Sequence, residues 1–327
     1  MRIHPWNRPL WERLTRDRER LPHALLLHGM AGVGKYQLAL SFAEWLLCER
    51  PHAGAACGQC PSCNWFSQGG HPDLRIVTPR AEDADADKPK RGSRLIKVDD
   101  VREATDMLAL SSHQGGWRVV LIQPAEAMNA AAANALLKTL EEPPPRVMLI
   151  LVSHQPRRLL PTVLSRCHKL AVPRPDRQVA MAWLAEHPIT DAEGLLLEAG
   201  GAPLLALDYA NAERMAQRER LLEALAKPDA QDWCELAHAM QHTLAESWGW
   251  LLRWICDLIA CRAGTAVRYF PHYAAALRAQ AVAADPVRLW DLYHELLGAG
   301  RRLQHPLNAQ LLLESWLLKY ASIEDEP

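Results

Sequence analysis

The sequence predicts an α/β domain, with a parallel sheet and helices on both faces, followed by an all-α region. Three observations support this prediction. An apolar run leads into a glycine-rich loop, two more apolar runs at residues 118–122 and 147–152 are separated by helical patterns, and strand signals end after Pro175. Short apolar runs bounded by turn residues are typical of strands buried in a parallel sheet. Their alternation with helices favours a sheet covered on both faces.

The elements of the α/β region follow in order along the chain. Spaced apolar residues before position 20 predict a short helix, and the run at residues 24–28 predicts the first strand. Apolar residues at helical spacing after residue 36 predict the helix behind the loop. The charged run at residues 79–92 is interpreted as a solvated loop.

The second half of this region contains two predicted strands, each preceded by a predicted helix. A helix at residues 101–110 precedes the strand at 118–122, with a glycine break between them. An alanine-rich helix from Asn129 ends at Glu142, before three prolines, and the next strand is predicted at residues 147–152.

Beyond Pro173 and Pro175 the pattern becomes helical. Short helices, interrupted at residues 200–203, continue to about residue 215, and long helical patterns follow. The tryptophans of this last part are interpreted as helix-bundle core and not as a ligand box or a stacking platform for nucleic acid. They are Trp233, Trp248, Trp250, Trp254, Trp290 and Trp316.

Composition limits the classes of function. The 327 residues carry a formal net charge of −1, which argues against a protein that binds nucleic acid mainly through bulk positive charge. The N-terminal residues have no apolar core of signal-peptide length, and no apolar run is long enough to span a membrane. We therefore expect a soluble cytoplasmic protein without membrane contact.

The loop after the first strand has the pattern of a phosphate-binding loop with one position changed. Gly29, Gly32 and Gly34 allow backbone N–H groups to surround phosphates, and Lys35 can reach the β/γ oxygens. Tyr36 stands where a Ser or Thr would bind Mg²⁺, and its ring places the hydroxyl too far away. The loop is a degenerate nucleotide site without a Mg²⁺ ligand, and whether it binds ATP stays open.

A second departure follows the strand at residues 118–122. A P-loop ATPase carries acidic residues here that hold Mg²⁺ and polarise water, whereas this chain has Gln123 and Pro124. Glu126 comes two or three residues late, and we interpret it as a charge at a helix start. The two departures predict loss of ATP hydrolysis more firmly than loss of nucleotide binding.

Four of the eight cysteines are clustered at Cys48, Cys57, Cys60 and Cys63. This spacing suits tetrahedral zinc, and four protein ligands leave no open position for a catalytic water, so the site is predicted to be structural. Free or redox-active thiols and an iron–sulfur cluster are the less favoured alternatives.

Arg166 follows a short helical segment after the strand at 147–152. A guanidinium at the end of an α/β domain offers two parallel donors to a phosphate bound by a neighbour. By itself a single arginine is weak support, because most arginines are on the surface or form salt bridges.

Together these motifs resemble those of bacterial clamp-loader subunits of the AAA+ class, and among them the delta prime branch of the DNA polymerase III subunits. The resemblance covers nearly the full chain. The matching segments are residues 22–29 (PHALLLHG), the four cysteines, and residues 71–74 (HPDL), 134–144 (NALLKTLEEPP), 164–167 (LSRC) and 308–314 (NAQLLLE).

The resemblance implies three domains. Residues 1–172 would form the AAA+ domain with the inserted cysteine module, residues 173–215 a small helical lid, and residues 216–327 a helical collar for oligomerisation. The collar would assemble into a heteropentameric ring with delta and three gamma or tau subunits. That ring uses ATP to load the sliding clamp onto primer–template DNA, as part of a DNA-directed DNA polymerase (nucleotidyltransferase) holoenzyme.

The resemblance also separates this chain from its ATPase relatives. Gamma and tau carry Lys-Thr or Lys-Ser in the loop, an acidic pair after the second strand and an arginine in the lid. This chain has Lys35 followed by Tyr36, no acidic pair, and residues 201–203 (GAP) in the lid without that arginine. The implied role is a subunit that does not hydrolyse ATP.

By the same analogy Arg166 becomes the catalytic arginine finger, acting in trans on a neighbouring gamma or tau site. One feature departs from the delta prime pattern, since the loop of that branch can lack the lysine that this chain keeps as Lys35.

Two other functions fit parts of the sequence. An active gamma-like ATPase would explain Lys35 and the glycines but not Tyr36 or Gln123. A zinc-dependent DNA-binding module would explain the cysteines, but the sequence lacks the basic, base-reading helix that such modules place beside their metal.

Overall fold

The computed structural model describes residues 3–52, 54–79, 95–109, 112, 116–228, 232–300, 303 and 308–323. The chain divides into two compact units, Met1–Ala180 and Met181–Pro327. The solvated loop predicted at residues 79–92 lies, apart from Pro79, outside the described residues.

The first unit is built from parallel strands and the helices that connect them. Its strands are β1 Ala24–His28, β2 Leu74–Val77, β3 Arg118–Ile122, β4 Val147–Ser153 and β5 His168–Ala171. Its helices are α1 Arg8–Leu14, α2 Lys35–Leu47, α3 Pro61–Ser67, α4 Val98–Ala109, α5 Ala130–Glu141 and α6 Pro161–Arg166, and α7 Arg177–Leu184 crosses the division between the units.

The five strands form one sheet in the order β2-β3-β4-β1-β5, with every neighbouring pair parallel. β1 lies between β4 and β5, where Leu26 is opposite Leu151 on one side and Lys169 on the other. Because all strands run the same way, their carboxyl ends lie together at one end of the sheet. The glycine-rich loop leaves β1 at this carboxyl end.

Helices cover both faces of the sheet, as predicted. Leu26, Val120 and Leu149 form a buried cluster with residues of α4, α5 and α6 on one face. Leu25 and Leu121 are equally buried. As neighbours of Leu26 and Val120 along their strands, they point to the opposite face, where α2 packs on β1, β3 and β4.

The sequence did not predict β2 and β5, and their exposure explains why. Both are edge strands of the sheet. In β2 only Val77 is buried, and in β5 only Leu170 is buried. An edge strand with a single buried side chain has no apolar run, so the pattern that revealed β1, β3 and β4 is missing.

The second unit is helical, and its described residues contain no strand. Its helices are α8 Ala192–Glu198, α9 Pro203–Tyr209, α10 Ala212–Ala226, α11 Trp233–Met240, α12 Leu244–Arg262, α13 Ala274–Ala283, α14 Pro286–Ala299 and α15 Ala309–Ala321. α10 runs without interruption across position 215, where the resemblance places the boundary between lid and collar.

The tryptophans of the second unit mostly form its core, as predicted. Trp250, Trp254 and Trp316 are fully buried, and Trp233 is nearly so. Trp290 is the exception, because its side chain on α14 is 47% exposed. Its assignment to the core was wrong, since the helical pattern alone does not show which side of α14 faces the bundle.

A buried carboxylate joins three helices of the second unit. Glu198, at the end of α8, has a fully buried side chain. Its Oε1 accepts hydrogen bonds from Arg214 Nη2 (2.9 Å) and Trp250 Nε1 (2.8 Å), and its Oε2 accepts one from Arg218 Nε (2.7 Å). Glu198 therefore ties α8 to α10 and α12.

Among the described residues, no helix combines the length and the apolar character that crossing a lipid bilayer requires.

Replacing Glu198 with Gln is expected to destabilise the protein by about 3 kcal/mol, because two largely buried arginines would lose their counter-charge. The matched control is Glu223→Gln on α10, where the side chain is exposed and the change should cost little. Denaturant unfolding of the full chain measures both effects. Equal stability of the two variants would contradict the role given to Glu198.

Candidate functional site

The glycine-rich loop turns sharply between β1 and α2, and its glycines make this turn possible. Gly29, Gly32 and Gly34 have φ values of 150°, 74° and 83°. At Gly29 a side chain is also excluded by contact, since a Cβ would lie 2.5 Å from the Val172 carbonyl oxygen. The loop thus has the backbone freedom that the sequence predicted.

Lys35 is the first residue of α2, and only 2% of it is exposed. Its Nζ donates to the carbonyl oxygens of Gly29 (2.7 Å) and Met30 (2.5 Å). Burial lowers the pKa of Lys35 to about 8, while the nearby Glu126 opposes this shift. The loop that precedes α2 therefore already binds the amine of Lys35.

The N-terminal segment lies against the same loop. Trp6 Nε1 and Asn7 Nδ2 both donate to the Val33 carbonyl oxygen, each at 3.0 Å. A Cβ at Gly34 would lie 2.7 Å from the His4 ring. These contacts could not be predicted, because nothing in the sequence of residues 4–7 shows that they return to a loop more than twenty residues later.

Tyr36 follows Lys35 in the first turn of α2 and is half-buried. Burial raises the pKa of its phenol. A phenol kept neutral in this way is a poor ligand for Mg²⁺, which prefers carboxylate, phosphate and water oxygens.

Glu126 has a role that the sequence analysis did not anticipate. It lies in a short 3₁₀ turn after β3, near the helix-start position predicted for it. Its Oε1 accepts hydrogen bonds from the backbone N–H groups of His154 (2.9 Å) and Gln155 (3.1 Å), just after β4. Its Oε2 is buried and has no hydrogen-bond partner among the described residues. The carboxylate thus links the carboxyl ends of β3 and β4 beside the loop.

His154 is the third titratable side chain of this group. Burial is the main cause that lowers the pKa of His154, and Lys35 adds to the effect while Glu126 opposes it. Lys35, Glu126 and His154 thus lie close together beyond the carboxyl ends of the strands, in the segments that follow β1, β3 and β4. Gln123, at the end of β3, adds no carboxylate to the group.

The four clustered cysteines converge on one point. Cys48 caps the end of α2, while Cys57, Cys60 and Cys63 lie just before and within α3. The sulfurs all lie within 4.8 Å of one another, with Cys48–Cys60 and Cys57–Cys63 Sγ separations of 4.0 Å. This arrangement can hold a metal ion.

Backbone N–H groups surround these sulfurs. The amides of Cys57, Cys60 and Cys63 point at the sulfurs of Cys48, Cys57 and Cys60, at 3.2, 3.4 and 3.4 Å. Amides of Gln59 and Cys60 lower the pKa of Cys57 to about 6. Such donors stabilise thiolates, which are the form that binds metals.

A buried hydrogen-bond chain connects the cysteine module to the sheet. Ser62 Oγ donates to the Leu47 carbonyl oxygen at 2.6 Å and lies 2.7 Å from His71 Nε2. Because the hydroxyl proton is used on Leu47, Nε2 of His71 is the donor in the second bond. Its Nδ1 accepts from the Asp73 amide at 3.1 Å, directly before β2. His71 and Asp73 belong to the HPDL motif at residues 71–74, whose sequence alone does not show this role.

Arg166 lies far from the glycine-rich loop. It is the last residue of α6, two residues before β5 begins, and His168 of β5 is opposite Leu25 at the amino end of β1. The loop leaves the carboxyl end of β1, about 13 Å further along the strand at 3.3 Å per residue. The loop and Arg166 of one chain thus lie at opposite ends of the parallel strands.

Most of the chain matches subunits of DNA polymerase III. Residues 7–176 match the family described as "DNA polymerase III, delta subunit", and residues 212–322 match "DNA polymerase III, delta subunit, C terminal". The DNA polymerase III subunit delta' of Pseudomonas aeruginosa is 41% identical in an alignment of 264 positions, which covers 78% of this chain and 75% of that protein. The chain belongs to the DNA polymerase III delta' family.

Two further similarities agree with this family. The subunit delta' of Escherichia coli K12 is 32% identical over 321 residues and matches 93% of both chains. The solved structure of a DNA polymerase III gamma subunit-related protein from Thermotoga maritima covers 96% of this chain and 99% of that chain, with a TM-score of 0.50 and 20% identity. At that identity the likeness concerns the fold, which is the predicted AAA+ arrangement followed by a helical region.

Proposed function

We propose that this delta' family member is a non-hydrolysing subunit of the clamp loader, acting in the bacterial cytoplasm to help load the sliding clamp onto primer–template DNA. The observation that carries the proposal is the match to delta' along 93% of the chain, combined with a phosphate loop that lacks a Mg²⁺ ligand. The chain would contribute to a DNA-directed DNA polymerase holoenzyme without turning over ATP itself.

The geometry of the loop supports loss of hydrolysis. Phosphoryl transfer needs a metal ion to neutralise charge and a residue to orient the attacking water. Tyr36 stands at the metal-ligand position, and Gln123 and Pro124 stand at the acidic positions. Lys35 Nζ already donates to the carbonyl oxygens of Gly29 and Met30, which leaves at most one of its three N–H groups for a phosphate oxygen of ATP.

An active gamma-like ATPase is the second candidate, and Glu126 favours it. This carboxylate lies close enough to Lys35 to affect its pKa, and one of its oxygens has no partner among the described residues. Against this candidate, its other oxygen is committed to two backbone amides after β4. These bonds hold the carboxylate against the residues that follow β4 and leave only the buried Oε2 to accept a hydrogen bond from water.

Arg166 is the residue that we propose to act in trans as an arginine finger. Arg166 lies at the amino ends of the strands, and at least the length of β1 separates it from the loop of its own chain. A guanidinium so placed can reach phosphates held by a neighbouring subunit. In this arrangement the chain assists a gamma or tau site that hydrolyses ATP.

The partners would be gamma or tau and delta in a heteropentameric ring, assembled through the helical collar. Large apolar side chains are exposed on three helices of the predicted collar, which supports an interface there. They are Val282 on α13, Val287, Trp290 and Leu297 on α14, and Leu311 and Leu318 on α15.

The domain boundaries proposed for this role are residues 1–172 for the AAA+ domain, 173–215 for the lid and 216–327 for the collar. The irregular backbone between β5 and α7 supports the first boundary.

The metal proposed for the cysteine cluster is structural zinc. Four sulfurs at a zinc–sulfur distance of about 2.3 Å would be about 3.8 Å apart in a tetrahedron. The separations of 4.0 Å within two of the pairs fit this geometry closely. With four thiolates bound, no ligand position is left for chemistry.

Zinc analysis of the purified chain should give about one ion per molecule. Cys63→Ala should lose the zinc and unfold at a lower temperature, because binding at such sites supplies on the order of 10 kcal/mol in peptides. The control is Cys234→Ala, where the thiol is exposed and distant in sequence from the cluster. A zinc-free protein with an unchanged melting temperature would rule out the structural metal.

The isolated chain should release no phosphate from ATP above background, because it lacks the metal ligand and the acidic residues of an ATPase. Lys35→Ala should leave that background unchanged. Steady-state phosphate release measures this. Turnover that disappears in both Lys35→Ala and Glu126→Gln would instead establish the gamma-like ATPase.

Arg166→Ala should keep folding, zinc content and assembly intact but lower ATP hydrolysis and clamp loading by the reconstituted complex. Loss of an arginine finger costs about three orders of magnitude at one site. A ring with other working sites would show a smaller fall. The control is Arg20→Ala, whose side chain is 89% exposed. A complex with Arg166→Ala that loads clamps at the wild-type rate would refute the finger.

A further inference from the structure

The Arg166 guanidinium is held by its own chain on two sides. Its Nη2 forms an ion pair with Glu141 Oε1 at 2.7 Å. Its Nη1 donates to the Thr162 carbonyl oxygen at 3.0 Å and to Ser165 Oγ at 3.3 Å. These contacts engage both terminal nitrogens, so they fix the plane of the guanidinium as well as its position.

Glu141 occupies a position where a carboxylate is unfavourable for its own helix. It is the last residue of α5, and the carboxyl end of a helix carries a partial negative charge that disfavours acidic side chains. The pair with Arg166 adds little to folding, because its side chains are 50% and 35% exposed. Neither the helix dipole nor the stability gained from the ion pair accounts for Glu141.

The two helix ends are held at a fixed distance by apolar packing. Leu140, next to Glu141, and Val163, one turn before Arg166, belong to the same buried cluster on one face of the sheet. Glu141 is therefore anchored on a rigid element, which is the condition under which a side chain can orient another accurately.

We propose that Glu141 is a positioning residue for Arg166, orienting the guanidinium towards the phosphates of a neighbouring subunit. This inference rests on the proposed role of Arg166 as an arginine finger. An arginine has five N–H groups, and the bonds to Glu141, Thr162 and Ser165 use three of them. Two donors are left for phosphate oxygens, on a side chain whose entropy is already reduced before the neighbour arrives.

The chain provides a matched control in the adjacent residue. Glu142 has the same side chain, is exposed, and follows the end of α5. It forms no ion pair among the described residues. Glu141→Gln and Glu142→Gln therefore change the net charge equally, near the same helix end, while only the first removes the pair with Arg166.

The experiment measures steady-state ATP hydrolysis, with sliding clamp and primed DNA, by the complete complex reconstituted with partner subunits of the same organism. The variants are Glu141→Gln, Glu142→Gln, Arg166→Ala and the double variant Glu141→Gln/Arg166→Ala. Misplacing a catalytic group by about 1 Å can cost about a hundredfold. Partial loss of orientation at one of several sites should therefore lower kcat about three- to tenfold, with KM for ATP unchanged.

Support requires that Glu142→Gln behaves as the wild type and that Glu141→Gln adds nothing once Arg166 is Ala. An unchanged or raised kcat in Glu141→Gln overturns the inference. A raised kcat would mean that the carboxylate of Glu141 competes with phosphate for the guanidinium of Arg166. An equal fall in the presence and absence of Arg166 also overturns it. If Arg166→Ala itself has no effect, Arg166 is not an arginine finger, and the inference about Glu141 is overturned as well.

Discussion

The parallel pairing of β1 with β4 and β5 determines where the functional residues of the first unit lie. Because β1 and β5 run in the same direction, the residues that follow β1 and those that precede β5 are at opposite ends of the strands. The glycine-rich loop lies at the carboxyl end and Arg166 at the amino end. Antiparallel pairing would have brought the two together, and Arg166 could then have served the loop of its own chain.

The glycine-rich loop is a stable structure without a nucleotide. With a pKa of about 8, the amine of Lys35 is charged at neutral pH, and a buried charge needs acceptors. The carbonyl oxygens of Gly29 and Met30 supply them, and the tryptophan and asparagine of the N-terminal segment bind the next part of the loop. Two of the three N–H groups of Lys35 are thereby used within the chain, so a phosphate would find one donor in place of three, and the net gain from binding is reduced.

The sequence predicted the parts of the fold whose signal is local. β1, β3 and β4 are buried on both faces and therefore appear as apolar runs, and the loop is defined by the spacing of its glycines. The edge strands β2 and β5 carry one buried residue each and left no pattern. The spacing of the four cysteines predicted their convergence. The partners of Lys35, Glu126 and His71 could not be predicted, because each contact joins segments whose approach depends on the whole sheet.

The continuity of α10 has a mechanical consequence. The helix belongs to the proposed lid at one end and to the proposed collar at the other, and two of its arginines hold Glu198 of α8. Bending it at the boundary would break backbone hydrogen bonds as well as that buried contact. With 15 residues it is about 22 Å long at 1.5 Å per residue. A tilt of the proposed lid would therefore carry the whole helix with it and displace its other end sideways inside the proposed collar.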